Sequence, residues 1–356
     1  MSWLLVFVPV AIGLELLAPD RHLLVFLVSA LAIVPLAGWM GRATEQLASR
    51  LGEGVGGLLN ATFGNAAELI IAFAALRAGL YTVVKASLVG SIVGNILLVL
   101  GAAMLAGGLR HEEQHYNPAG ARSQATMLTL AAIALVLPAA YRGAIGAGAP
   151  AIGSLSIWIS LVLLAVYAAN LVFSLITHAA LFAGSHAEGE AEHGPAWSIG
   201  RASGVLAAAT AAIAWMSEIL VGAIEPTSHE LGLNDAFVGV FVVAILGNAA
   251  EHATAVTAAL RNRMDLALSI AIGSSVQVAL FVAPLLVLAS LAVGPAPMDL
   301  AFGGGMVLTV LLAVLITGQV AGDGRSDWLK GVQLLAVYVI LGLAYFFAPM
   351  PGSPPG

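Results

Sequence analysis

The chain has 356 residues, 60% of them hydrophobic and 9% charged, with a formal net charge of −6, a mean hydropathy of +1.00 and no cysteine. Soluble domains carry roughly 25% charged residues, so this composition excludes a soluble globular protein and identifies an integral membrane protein. The lack of cysteine excludes disulfides, thiolate chemistry and Cys-ligated metals, while the net charge says little about partners.

Taken in order, apolar runs of about 20 residues, each long enough to span the hydrocarbon as a helix, recur along the whole chain. They predict eleven transmembrane helices at approximately 3–18, 22–40, 54–77, 81–107, 124–142, 155–181, 202–224, 235–259, 264–292, 297–318 and 326–348. Only Pro19-Asp20-Arg21 separates the first run from the second, with no polar cleavage region, so the first is read as a retained helix rather than a removed signal peptide. The loops then alternate sides. One side holds Arg42, Arg50, Arg110, Arg122, Arg201, Arg261, Arg263, Arg325 and Lys330, and the other only Arg21, Arg77 and Arg142. The positive-inside rule makes the richer side cytoplasmic, with the N-terminus inside and the C-terminus outside. On this topology Ser185 is cytoplasmic and Ser228 lies in an outside loop.

Landmarks recur in the same order in both halves. Thr44-Glu45-Gln46-Leu47 matches Ser217-Glu218-Ile219-Leu220; Gly-Asn-Ala-Ala-Glu occurs at Gly64 to Glu68 and again at Gly247 to Glu251; "GSIVGN" from Gly90 is similar to "GSSVQ" from Gly273. These fall on spans 2, 3 and 4 and then 7, 8 and 9, so the repeat unit is five helices. An odd number makes the second copy enter the membrane from the opposite side, the inverted repeat of secondary transporters, with sites near the midplane. The expected organisation is an N-terminal helix (1–18), a first five-helix repeat (19–182), an acidic cytoplasmic linker (183–200) and a second repeat (201–356). The linker contains "AGSHAEGEAEHGPAW" from Ala183 and has no apolar periodicity.

Glu68 and Glu251 lie well inside spans that run in opposite directions, which brings both towards mid-depth. Two carboxylates in a dry site cannot both stay ionised unless something positive joins them, because desolvation and repulsion both disfavour the charged pair. A divalent cation satisfies them, and so do protons: an exchange mechanism in outline. The neighbours suit a hard, oxygen-liking ion such as Ca²⁺. Asn65 and Asn248 stand three residues before each Glu on the same helical face. Gly64 and Gly247 invite local unwinding that frees carbonyls as ligands. Ser91, Asn95, Ser274, Ser275 and Gln277 come to the same site by repeat symmetry; intramembrane Ser and Asn also serve as interhelical glue. A structural Glu here would need a cationic partner, and apart from Arg77, Arg142 and Lys330 near span ends the only Lys or Arg inside a span is Lys85, near the start of span 4; intramembrane acids are functional by default. His252 either lines the pathway or packs as a neutral imidazole. Glu45 and Glu218 fall near opposite faces, where they attract cations or are ordinary solvated helix ends.

One motif points elsewhere. "HEEQH", His111 to His115, satisfies the H-E-x-x-H zinc-protease pattern, which needs both histidines on one helical face. It sits in a polar loop with room for barely two helical turns and no evident third ligand, and an intramembrane zinc metalloprotease is the remote alternative.

The segments "FGNAAELIIA", "LGNAAEHATA", "GSIVGN" and "GSSVQVALFVAP" resemble the twin motifs of the calcium/cation antiporter superfamily, and within it the calcium/proton exchanger branch. The resemblance covers nearly the whole chain, including "GGLRHEEQHYN" after span 4. It implies a transporter rather than an enzyme, exporting Ca²⁺ for H⁺ by alternating access. It assigns cation binding to Glu68 and Glu251, with Gln277, Asn65 and Asn248 matching the family's glutamine and asparagines. Sodium/calcium exchangers of the superfamily carry more Ser and Thr around their glutamates and an acid where this chain has Gln277; Ala66, Ala67, Ala249 and Ala250 leave fewer oxygens for Na⁺. A Na⁺-coupled or monovalent cation/H⁺ exchanger of the same fold stays as the alternative. No cofactor is expected. The partners expected are Ca²⁺ (with Mn²⁺ or Na⁺ open), protons and the lipid bilayer; a homo-oligomer is allowed and nucleic acid is not expected. Glu188, Glu190 and Glu192, interspersed with His186 and His193, do not make a dedicated Ca²⁺ site of the linker. With no long polar extension before the first helix, a prokaryotic plasma membrane is the expected home.

Overall fold

A backbone in lipid must satisfy its hydrogen bonds within its own segment, and these apolar runs do so as helices. The computed structural model describes residues 2–51, 53–146, 150–178 and 197–348, which are helical apart from turns and a pair of two-residue strands. In order they form α1 (Trp3–Leu17), α2 (His22–Leu51), α3 (Glu53–Phe63), α4 (Ala66–Arg77), α5 (Tyr81–Arg110), β1 (Gln114–His115), α6 (Pro118–Ala144) and α7 (Ala151–Thr177). There follow α8 (Ile199–Leu231), α9 (Val238–Gly247), α10 (Ala249–Leu260), α11 (Met264–Ala289), α12 (Gly304–Ala321), β2 (Arg325–Ser326) and α13 (Trp328–Phe346). Among the described residues eight helices are long and apolar enough to cross a membrane, and the interrupted pair α9/α10 makes up to nine. The protein is thus an all-helical, multi-pass membrane protein.

Several ends differ from the hydropathy reading. Helix α2 continues beyond residue 40 to Leu51 with Ala43, Thr44 and Leu47 buried on its inner side; hydropathy averages over both faces and stops where an amphipathic extension begins. Helix α8 runs through Pro226 and ends at Gly232, whose φ of +66° suits glycine. Ser228, expected in an outside loop, is therefore buried within α8, its hydroxyl 2.9 Å from the Glu225 carbonyl. The span expected at 297–318 begins only at Gly304. Gly294 (φ +92°), Pro295 and Pro297 break the preceding stretch. Ser290 accepts the Met298 N–H at 2.7 Å, Ser156 the Leu300 N–H at 2.9 Å, and Arg142 pairs with Asp299. Ser185 and the linker up to residue 196 lie outside the described residues.

The described residues fall into two compact units, one drawn from Met1–Gly90, Gly194–Ala250 and Leu341–Gly356, the other from Ser91–His193 and Glu251–Ile340. In the first, α2 packs along α8, and α4 leans on α8 through an ion pair between Arg77 and Glu218 at 2.9 Å. The end of the linker docks on α2, with Trp197 stacked on Trp39 and its N–H held by Gln46 at 2.8 Å. In the second, α12 and α11 pack on α6, and α13 crosses α5 at Gly101 and Gly331.

Lipid tails are as apolar as leucine, so helices here associate through close packing at small residues. At Gly90 of α5 an added Cβ would stand 2.2 Å from the Val240 carbonyl oxygen, and at Gly239 of α9 it would stand 2.5 Å from Ala86 Cβ. Gly273, the repeat counterpart of Gly90, would meet only Gln124 Nε2 at 3.9 Å. Forcing a methyl into a filled contact costs about 1–3 kcal/mol or more. Gly90→Ala should therefore lower the melting temperature in detergent sharply while Gly273→Ala leaves it near wild type; equal melting of the two would contradict this packing.

Candidate functional site

Each Gly-Asn-Ala-Ala-Glu segment folds as a helix break followed by a new helix. Helix α3 stops at Phe63, Asn65 adopts φ −107°, ψ 24°, and α4 starts at Ala66 with Glu68 in its first turn. In the second copy α9 stops at Gly247, Asn248 adopts φ −97°, ψ 7°, and α10 starts at Ala249 with Glu251 in its first turn. The helix is interrupted at Asn65 and at Asn248, one residue after each glycine, and each break places a carboxylate where the helix dipole favours negative charge. Asn65, Glu68 and Asn248 are buried, and Asn248 donates to the Ala244 carbonyl at 2.9 Å, tying down the end of α9.

The first unit brings the two motifs together. Gly247 lies against Glu68: a Cβ there would be 3.9 Å from Glu68 Cγ and 3.8 Å from Ile71 Cδ1. Gly64, in contrast, is exposed.

The second unit gathers Glu251, Ser274 and Asn95. Ser274 hydrogen-bonds to the Glu251 carboxylate, and Asn95 Nδ2 donates to Ser274 Oγ at 3.1 Å. Ser275, the adjacent hydroxyl, turns away to the Ile92 and Ala271 carbonyls at 3.1 and 3.0 Å, so it joins helices rather than lining the site. The other carboxylate oxygen of Glu251, Oε2, is buried with no hydrogen-bond partner among the described residues. Such a group needs an explanation, and a proton or a cation supplies one. Ser91 is buried on α5; Gln277 and His252 are half-buried.

Two features were not read from the sequence. Helices α5 and α11 each widen into a π-helical turn just after the repeated segment, at Gly94–Val99 and Val278–Val282. Asn95 sits inside the first, and Gln277 immediately precedes the second. The Ile96 carbonyl in the first accepts Thr317 Oγ1 at 3.3 Å. Such turns cluster at functional sites, but a single added residue per turn leaves no mark on composition. Arg77 as the partner of Glu218 was also missed, although the eleven-span order puts both at one membrane face. Glu218 stands at the far end of α4 from Glu68, about 13 Å along the helix, and Glu45 is exposed on α2.

The zinc-protease pattern loses its geometry. Residues 111–115 are not helical, bending at His111-Glu112 and ending in β1, so His111 and His115 do not share a helical face. His111 Nε2 approaches the Leu260 carbonyl at 3.2 Å, Glu112 is exposed, and His115 pairs with Glu113 at 3.5 Å. The turn chemistry around β1 and the β2 partner strand overrides the helical reading.

Comparison with known proteins agrees with this architecture. Residues 21–176 and 202–347 match the model of the sodium/calcium exchanger protein family. The chain is 46% identical over 364 residues to the Ca(2+)/H(+) antiporter of Synechocystis sp., covering 97% of this chain and 96% of the relative. It is 43% identical over 323 residues to the Ca(2+)/H(+) antiporter ChaA of Bacillus subtilis, covering 90% and 91%. The solved structure of native YfkE superposes with a TM-score of 0.82 at 38% identity, covering 97% of this chain and 100% of that one. With a duplicated acidic motif at two helix breaks, the chain belongs to the sodium/calcium exchanger protein family and falls within its calcium/proton exchanger branch.

Proposed function

We propose that this protein exchanges Ca²⁺ for H⁺ across a membrane by alternating access, at a cation site built from Glu68 and Glu251. The observation that carries the reading is the twice-repeated helix break that sets a carboxylate in the first turn of a membrane helix, with the second break lying against Glu68. The relatives named as Ca(2+)/H(+) antiporters support the choice of ions.

In the loaded state both carboxylates are ionised and share the charge of the cation. Asn65 and Asn248, the backbone at Gly64 and Gly247, and Ser91, Asn95, Ser274 and Gln277 supply neutral oxygens. Asn95 and Ser274 hold Glu251 through the chain of hydrogen bonds described above. When the cation leaves, protons neutralise the same oxygens, and the emptied site returns without a bare charge in the low-dielectric interior. The alanines flanking each Glu offer no side-chain oxygen for a sodium site, so the counter-ion is the proton. His252 lines the pathway, and Glu45 and Glu218 stand at its mouths, where Arg77 shares the charge of Glu218.

The layout that goes with this function counts α3/α4 and α9/α10 as one broken span each. That makes eleven spans: an N-terminal helix (1–18) and two inverted five-helix repeats (19–182 and 201–356) joined by a cytoplasmic linker. Each compact unit takes corresponding pieces of both halves, as inverted repeats would. The membrane is the prokaryotic plasma membrane, with the N-terminus inside.

Four measurements test this reading. Glu68→Gln and Glu251→Gln each remove one charge while keeping shape, and each should abolish Ca²⁺ uptake into proteoliposomes driven by a pH gradient. Glu15→Gln, in α1, should keep most of it. Wild-type uptake should fall as the pH on the loading side drops, because protons compete for the same oxygens. Near-normal exchange by either glutamine variant would sink the site. Single cysteines at the exposed Glu112 and Glu230 should label from opposite faces, Glu112 from the cytoplasm; labelling from one face would overturn the eleven-span order. Glu112→Gln, which removes the would-be protease base, should leave uptake within about twofold of wild type.

A further inference from the structure

The "HEEQH" loop is a strap between α5 and β1, and its centre is built with more care than a connector needs. Gln114 is 1% exposed. Its Nε2 donates to the Ala259 carbonyl at 2.8 Å and to Asn262 Oδ1 at 3.0 Å. These two acceptors are the last turn of α10 and the turn beyond it, where Asn262 holds a left-handed φ of +61°. The space for Gln114 comes from Gly107 of α5, where a Cβ would stand 2.0 Å from Gln114 Oε1. That oxygen is buried with no hydrogen-bond partner among the described residues, a local cost that a merely space-filling side chain would not incur.

The strap is itself anchored. Gln114 pairs with Ser326 across the two strands, and the Tyr116 N–H donates to the Gly324 carbonyl at 3.0 Å. Burial pushes the Tyr116 phenol well above its usual range, so it stays a neutral donor to the Val320 and Arg325 carbonyls, each at 3.3 Å.

Helix α10 begins at the break after Asn248 and so has no continuous helix above it. Glu251 is in its first turn and Ala259 lies eight residues on, about 12 Å along a rigid rod. We infer that Gln114 is a positioning residue, a pin that fixes the cytoplasmic end of α10 and through it sets where the Glu251 carboxylate stands. This rests on Glu251 being a cation ligand. A pin of this kind governs how well the ligand oxygens meet the ion; direct hydrogen-bond partners of metal ligands cost 10–100-fold in affinity when removed, and Gln114, acting one step further out through α10, falls at the low end of that range. The maximal rate, set by the conformational cycle, depends on it less.

The test uses the full chain in proteoliposomes, reading radioactive Ca²⁺ uptake against Ca²⁺ concentration under a fixed pH gradient. Gln114→Met, which keeps the volume and removes the donor, should raise the half-saturating Ca²⁺ about tenfold with less than about a twofold change in maximal rate. Gly107→Ala should do the same by evicting the intact amide. The double variant should be no worse than either single, since both remove one interaction. An unchanged half-saturation in folded Gln114→Met, or effects that multiply in the double variant, would overturn the pin. A loss of maximal rate at unchanged half-saturation would also overturn it, as the mark of a merely structural loop. If Glu251→Gln transports normally, the underlying site reading fails instead.

Discussion

A carboxylate set among apolar helices demands a proton or a cation beside it, and most of what is unusual in this chain lies around two such groups, Glu68 and Glu251. The helices that carry Glu68 and Glu251 do not run straight. Each is broken one turn before its acid, at Asn65 and Asn248. A break in lipid would be ruinous, so both asparagines are buried among other helices, and Asn248 is spent on a backbone carbonyl of the preceding helix. The glycine before the second break lies within ordinary contact range of Glu68.

The elements around those acids are held by contacts suited to a medium without a hydrophobic effect. Glycines at 90 and 239 let α5 and α9 approach backbone to backbone, and hydroxyls at 275 and 317 reach carbonyls on α5. The π-helical turn at Gly94–Val99 is the same economy at the level of one residue: the Ile96 carbonyl within it is taken up by the Thr317 hydroxyl. Packing of this kind tolerates little change in volume and favours discrete rearrangement over continuous deformation.

Outside the membrane the loop chemistry is polar and local. The strap around Gln114, the turn at Asn262 and the strand pair with Arg325-Ser326 form a connected patch in the second unit. It gives a structural role to a stretch whose residue pattern alone suggested a metal site.

What the amino-acid sequence determined by itself was the class, the helical runs and the two acids. Hydropathy is a one-dimensional quantity, and an acid inside an apolar run is conspicuous without knowledge of its neighbours; the repeated pentapeptide then tied Glu68 to Glu251, and its glycines marked the breaks. What only the tertiary structure decided was every property that depends on a partner far away in sequence. Ser274 turned towards Glu251 and Ser275 away from it, although the two are adjacent and chemically alike. Ser228, expected in an outside loop, lies inside a helix that runs on to Leu231. Gly90 proved to be a packing contact while Gly273 stood open, despite equivalent places in the repeat. His111 and His115 were separated by a non-helical backbone, because a strand partner more than 200 residues away at Arg325-Ser326 outweighed the local pattern. Spacing along a chain records which side chains can share a helical face; which helix faces them is set by packing, and packing is not written in any short stretch.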